Sequence, residues 1–249
     1  MVAGEVPPGA CLLVDAVVDS GWTLTVVAAL LREAGCPKVQ ALALADAVVG
    51  SRDVDEAGTA FAGEVARWCA RESLVVASGG ARGVDRTAML AAIEAGGAAT
   101  GVLAGALGRE AVSGWCREAL RNGRLALVSP YGPDARFTVG GAMGRNRLIY
   151  CLADLAVVVS AAEGEGGTWA GATETLKHGG VPLAVRSGGE IPAGNRALLA
   201  GGAIEFSFES ALGVPEPRVR SWLATAEAAG RVRRRGKSRS WELTEPTLF

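Results

Sequence analysis

The side chains of this sequence with the clearest chemical use are arginines set beside glycine-rich turns. Gly50-Ser51-Arg52 follows the apolar run Ala47-Val48-Val49, and Ser78-Gly79-Gly80-Ala81-Arg82-Gly83-Val84-Asp85 follows 74–77. Glu165-Gly166-Gly167-Thr168 again separates a strand-like run from a helical one. Glycine lets a backbone approach a phosphate closely, and a following helix offers unpaired N–H groups. Arg52 and Arg82 add planar guanidinium forks that match phosphate oxygens. Gly144-Arg145-Asn146-Arg147 puts two more arginines in the opening turn of a helix, against the electrostatic preference for acids there. One such turn is unspecific, but three at strand ends with four arginines point to an anionic ligand. The phosphate-contacting candidates are therefore Gly50, Ser51, Arg52, Ser78, Gly79, Gly80, Arg82, Gly83, Arg145, Asn146, Arg147, Gly167 and Thr168. Solvated arginines on a helix face are the plain alternative for Arg145 and Arg147.

The formal net charge is −1, so attraction for a polyanion has to come from local clusters. A second cluster lies near the C-terminus: Arg231, Arg233, Arg234, Arg235, Lys237 and Arg239. Apolar–polar alternation on both sides of Gly236 predicts a two-stranded basic wing, which would release counterions on contact with phosphates. A solvated basic tail is the plain reading of the same run.

Other chemistries lack their residues. The one histidine, His178, precedes Gly179-Gly180 at a predicted helix end, where capping suits it better than catalysis. Five dispersed cysteines form no Cys-x-x-Cys pair and no zinc set, which leaves reduced, buried thiols. There is no Walker-type Gly-Lys-Thr, so ATP hydrolysis is not expected. No metal and no cofactor are expected.

The elements that position these groups read as α/β. Eight short Val/Leu/Ala runs, at 10–14, 39–45, 47–50, 74–77, 100–103, 125–128, 155–159 and 182–185, alternate with helical patterns that include 55–71, 85–95, 109–122, 143–152 and 169–178. Continuous apolar runs indicate strands buried on both faces. The expected fold is a Rossmann-like open, mostly parallel sheet with helices on both faces, an N-terminal β-α-β extension and a small C-terminal winged-helix-like remnant. The expected division is 1–45, 46–206, a linker at 207–218 and a basic hairpin unit at 219–249. Nothing at the N-terminus resembles a signal peptide and no window matches a membrane span, so a cytoplasmic protein is expected.

Gly50-Ser51-Arg52, the Ser78–Asp85 turn, Ser129-Pro130-Tyr131, Arg145-Asn146-Arg147 and Gly194-Asn195-Arg196 occur in an order that resembles the DNA-processing protein A family over about 46–206. The resemblance implies a Rossmann-like domain that forms a homodimer, binds single-stranded DNA and helps load a RecA-type recombinase. It further implies that Arg52, Arg82, Arg145 and Arg147 line the strand-binding pocket and that Ser51, Gly79, Gly80 and Gly83 supply close backbone contacts. Candidate stacking aromatics are Tyr131, Phe137 and Trp169, the last better suited to the core.

The stretch from Leu12 to Thr23 is similar to the phosphoribosyl-pyrophosphate loop of type I phosphoribosyltransferases, although one of its two adjacent acids is Ala16 here. A relict β-α-β unit is one reading. A retained phosphate site at Asp19, Ser20, Gly21 and Thr23 is the other.

An enzyme is the alternative function. Gly166-Gly167-Thr168 resembles the lysine-decarboxylase-like phosphoribohydrolases, but Ala170 stands where their glutamate would be and Glu174 lies more than a turn away. Only Glu163 and Glu165 remain as acids for N-glycosidic cleavage. A nucleotide-binding sensor would use the same turns. The overall expectation is a non-catalytic, single-stranded-DNA-binding protein.

Overall fold

The computed structural model describes residues 10–13, 38–41, 45–178, 181–209, 214–215, 232–234 and 241–243. Its contacts divide the chain into two units, Met1–Ala43 and Leu44–Phe249. In the first, β1 (Ala10–Leu13) and β2 (Lys38–Ala41) pair in parallel. Asp19, Ser20, Gly21 and Thr23 lie outside the described residues.

The second unit is built on a seven-stranded, all-parallel sheet. Its strands are β3 (Ala45–Gly50), β4 (Val75–Ser78), β5 (Ala98–Val102), β6 (Leu125–Val128), β7 (Ala153–Ser160), β8 (Leu183–Arg186) and β9 (Ile204–Phe206). The spatial order is β6-β5-β4-β3-β7-β8-β9. The chain therefore winds outward from β3 to β6 and returns to the other side of β3 for β7. Strand order reverses between β3 and β7, the place where open α/β sheets leave a crevice at their carboxyl ends. The Rossmann-like expectation holds.

The helices are α1 (Glu56–Arg71), α2 (Val84–Glu94), α3 (Leu107–Ala111), α4 (Gly114–Arg121), α5 (Val139–Cys151), α6 (Gly166–His178) and α7 (Ala193–Ala200). In α1, buried Gly58, Ala62, Val65, Ala66 and Cys69 recur at helical spacing and form one apolar stripe. Asp55 caps that helix by accepting from Gly58 N at 2.7 Å. α1 packs on α2, while α5 packs on α6 and α6 on α7. With right-handed crossovers, these groups form two layers on opposite sheet faces. Fully buried Val48, Val65, Val76, Met89, Val157 and Phe206 fill the core under the α1–α2 layer.

Several boundaries differ from expectation for identifiable reasons. Asp46 does not interrupt β3; it is buried, and Cys69 Sγ lies 3.9 Å from its Oδ2. Burial and this carboxylate both push the Cys69 thiol upward. Cys116 is also buried, but Cys151 is exposed. The single helix expected over 109–122 is two, because Ser113 takes an extended conformation and starts α4. Within the segment expected as a linker, β10 (Phe208–Glu209) pairs antiparallel with β11 (Val214–Pro215). Phe208 sits 5.2 Å from Phe61 and 5.3 Å from Phe206, ring to ring, and joins the core. Farther on, β12 (Val232–Arg234) pairs antiparallel with β13 (Trp241–Leu243), the hairpin that the alternation around Gly236 predicts. Arg231, Arg235, Lys237 and Arg239 lie outside the described residues.

One side chain holds the carboxyl ends of β7 and β8 together. Fully buried Asn195 accepts from Ala161 N at 2.9 Å and donates to Val159 O at 3.0 Å and Arg186 O at 3.2 Å. Asn195→Ala would leave three buried backbone groups without partners, at a cost of about 3 kcal/mol. Urea unfolding should show that loss, and a difference close to zero would mean that these bonds are replaced.

Candidate functional site

The rim of the crevice is assembled from strand ends. Ser51 N and Ser51 Oγ both bond Ser160 O, at 2.9 and 3.2 Å, and so tie the ends of β3 and β7 across the reversal. On the next strand Ser78 Oγ donates to Val48 O at 2.6 Å. The two glycine turns then interlock. Gly83 has φ +81°, and a Cβ there would collide with the carbonyl oxygens of Ser51 and Arg52. Val84 closes the contact from the other side, where its side chain fills the space a Cβ on Gly50 would need.

Arg145 and Asp85 meet over Gly79. A Cβ at Gly79 would strike the Arg145 guanidinium and the Asp85 carboxylate together, so only glycine fits. Both side chains are buried, Arg145 with 6% exposure. Burial raises the Asp85 carboxyl to about 6, while Arg145 and the backbone amides of Ala81 and Gly79 pull it downward. The Ser78 hydroxyl is also beside this carboxylate, but its one proton goes to Val48 O. For Arg145, burial is the dominant perturbation and lowers its pKa; Asp85 opposes it and the nearby Arg52 adds to it. Guanidinium stays charged through such shifts. Arg145 Nε has no hydrogen-bond partner among the described residues. The same holds for the buried hydroxyl of Tyr150, which packs against Gly171.

The remaining candidates fall around this centre at different depths. Arg52 is exposed, with its guanidinium 5.4 Å from the Phe137 ring centroid. Exposed Arg82 is anchored at 2.6 Å to Asp53, beside Arg52. Gly80, at φ +69°, faces Leu103. Asn146 packs over Gly167, and Thr168 follows half-buried in the first turn of α6. Arg147 is two residues from Arg145, about 200° around the helix, and points to α6, where it grips Glu174 at 2.8 Å. Thus the structure gathers Gly50, Ser51, Arg52, Ser78, Gly79, Gly80, Gly83 and Arg145, with Arg82 at the margin. Arg147 stands on another face of α5.

Two details differ from a simple phosphate cradle. The Asp85 carboxylate lies by the Gly79 and Ala81 amides, which pull its pKa downward, and the Ser51 hydroxyl serves Ser160. The protein's own carboxylate occupies the anion position at the start of α2, as helix dipoles favour. Glu174, weighed as a catalytic acid, is committed to Arg147. Glu163 and Glu165 are exposed in the loop before α6. Among the described residues no three His, Cys, Asp or Glu side chains converge as a metal site, and no helix is long and apolar enough to cross a membrane.

Tyr131 frames the crevice on the α5 side. It is exposed, donates its hydroxyl to Gly141 O at 2.9 Å and lies near Arg145. Thr138 caps α5 by accepting from Gly141 N at 3.0 Å.

An open, all-parallel sheet whose strand order reverses between β3 and β7 defines a Rossmann-like α/β protein. The family model for DNA recombination-mediator protein A matches residues 12–207, and the chain belongs to that family. The match starts at residue 12, well before residue 46 where the family resemblance was expected to begin. The DNA processing protein DprA of Mycobacterium tuberculosis is 36% identical over 121 residues, covering 47% of this chain and 30% of that relative. DNA processing protein A from Streptococcus pneumoniae matches with TM-score 0.56 at 24% identity, over 66% of this chain and 58% of that one. The Helicobacter pylori protein, described by its single-stranded DNA binding mode, gives TM-score 0.55 at 24% identity over 65% and 74%. These structural likenesses establish the shared fold. The matched region spans less than a third of the mycobacterial protein's length.

The raised Asp85 carboxyl has a measurable consequence. In the unfolded chain it ionises near 3.8, and in the folded protein near 6. Between these values the folded state holds the proton more tightly, so stability is lost as pH rises through that window. Relative to Asp85→Asn, which cannot ionise, the wild type should lose about 2 kcal/mol between about pH 4 and pH 6, out of about 3 kcal/mol over the whole titration. Urea unfolding of both proteins across that range measures it, and parallel stability curves would contradict the assignment.

Proposed function

We propose that this chain binds single-stranded DNA along the crevice at the strand-order reversal and acts as a non-catalytic recombination mediator. The observation that carries this reading is Arg145. It is a permanent charge, buried, with an orphaned Nε, placed beside Arg52 and a glycine turn. Asp85 offsets its charge, but the buried Nε is a donor without a partner among the described residues, which costs about 1–3 kcal/mol, and a phosphate oxygen is the acceptor its fork matches.

The surroundings suit a strand better than a lone phosphate. Exposed Phe137 and Tyr131 offer ring faces for bases next to the guanidinium groups. Arg82, at the margin, can exchange Asp53 for a further phosphate, and Arg147, on another face of α5, can exchange Glu174 for one farther along. The basic hairpin around β12 and β13 would add salt-sensitive affinity. Glu174 is held by Arg147 rather than free as a general base, which supports a binding rather than a hydrolytic role. Family membership supports the remaining parts of the reading: a homodimer, and a RecA-type recombinase loaded onto the bound strand. The phosphoribosyl-pyrophosphate-like loop at Asp19, Ser20, Gly21 and Thr23 is proposed as a second phosphate site.

Arg145→Met and Arg52→Ala should each weaken binding of a labelled oligothymidylate by about tenfold or more. Arg82→Ala and Arg147→Ala, which remove exposed and already paired groups, should cost less than about threefold. Fluorescence anisotropy measures all four; unchanged affinity in both Arg145→Met and Arg52→Ala would defeat the crevice assignment. A mononucleotide that binds as tightly as the oligomer would replace the strand reading with that of a nucleotide sensor.

Removing residues 231–249 should flatten the dependence of affinity on salt, by about 0.7 in log–log slope for each single-strand phosphate that the run neutralises. An identical slope would make the basic run a bystander.

A further inference from the structure

A second buried guanidinium lies on the other side of the reversal. Arg186, the last residue of β8, is 3% exposed, and its Nε and Nη2 have no hydrogen-bond partner among the described residues. Asp55 Oδ1 is 3.7 Å from Nη2, outside hydrogen-bonding range. That oxygen is already engaged, because it accepts from Gly58 N. Arg186 Nη1 lies 3.5 Å from where a Cβ on Gly58 would sit. The guanidinium is therefore aimed into the first turn of α1, where the amides of Glu56 and Ala57 have no intrahelical carbonyl to bond. The dipole of this 16-residue helix adds positive potential at the same place. Asp55 offsets only part of the charge, and its side chain, 56% exposed, opens the site to solvent.

We propose that Arg186 and the first turn of α1 form a second anion subsite, which takes a phosphodiester of the same strand that Arg145 binds. This inference rests on the single-stranded-DNA reading of the crevice and extends it along the sheet. The order β4-β3-β7-β8 separates the two arginine sites by three strand spacings, about 14 Å. At the 3.4 Å per nucleotide of a stacked strand this is about four nucleotides, and fewer when the strand is stretched. The segment from Arg52 to Asp55 bridges them, with Arg52 at the Arg145 site and Asp55 at the Arg186 site. Asn195 pins the Arg186 carbonyl and so fixes where the side chain starts.

The competing account is a purely structural Arg186–Asp55 ion pair. Three variants separate them, assayed with an oligothymidylate dodecamer, the corresponding dinucleotide and inorganic phosphate. Arg186→Met, which keeps an apolar stem, should weaken dodecamer binding about tenfold and leave the dinucleotide unchanged. Arg145→Met should weaken both. Asp55→Asn keeps the helix cap but removes the internal counter-charge, and should strengthen dodecamer binding. It tests the subsite even if Arg186→Met unfolds. A dodecamer indifferent to Arg186→Met and Asp55→Asn but sensitive to Arg145→Met overturns the subsite and leaves the crevice reading intact. Indifference to all three overturns both. A phosphate-induced rise in melting temperature that needs Arg186, without an effect on the dodecamer, would mean a site for free phosphate and also overturn the proposal.

Discussion

The architecture of the site depends on one charge pair, Arg145 opposite Asp85 across Gly79. Arg145 comes from α5 in one helical layer and Asp85 from the first turn of α2 in the other, and they meet over the edge of the sheet. Neither charge is tolerable in such surroundings by itself, since a buried ion without its partner costs several kcal/mol. The pair therefore fixes α5 against α2, forbids a side chain at position 79 and keeps the glycine turn folded around the carboxylate. It also decides where ligand capacity remains. The turn amides face the Asp85 carboxylate, while Arg145 Nε is a buried donor without a partner among the described residues.

The clamps at the strand ends serve the same centre. Ser51 joins β3 to β7 and Asn195 joins β7 to β8, both through backbone carbonyls at the carboxyl rim. Hydrogen bonds of this kind leave little freedom to the loops that carry Arg52 and Arg186. The Gly194-Asn195-Arg196 motif acquires a physical meaning here. Gly194 lets the α7 backbone approach the Ala161 carbonyl closely, and Asn195 then satisfies both strand ends at once.

Much of the fold was legible because buried parallel strands write themselves as uninterrupted Val/Leu/Ala runs, as in Leu125–Val128, where expectation and structure coincide. Asp46 misled because a charge inside such a run looks like an end, yet burial beside Cys69 accommodates it. β9 is only three residues long, too short to leave a period. At the site, glycine–arginine turns marked the right loops. What could not be read was depth: Arg145 and Arg147 are equivalent in sequence, and only the packing of α5 sends one into the crevice and the other to Glu174. Asp85 was visible as an acid in a first helical turn, but its role as the internal anion needs the approach of Arg145. Arg186 and Tyr150 carried no signal at all, since a single polar residue ending a strand or a helix is unremarkable until its burial is known.

Two exposed arginines, Arg82 and Arg147, arrive already neutralised, by Asp53 and by Glu174. A polyanion that recruits them evicts a carboxylate, and each evicted carboxylate gathers a cation of its own from solution. The swap returns to the protein part of the cation atmosphere shed by the nucleic acid. Such a surface would discharge fewer ions than its arginines suggest, and its grip would fade more slowly with ionic strength than that of an equally basic face without built-in acids.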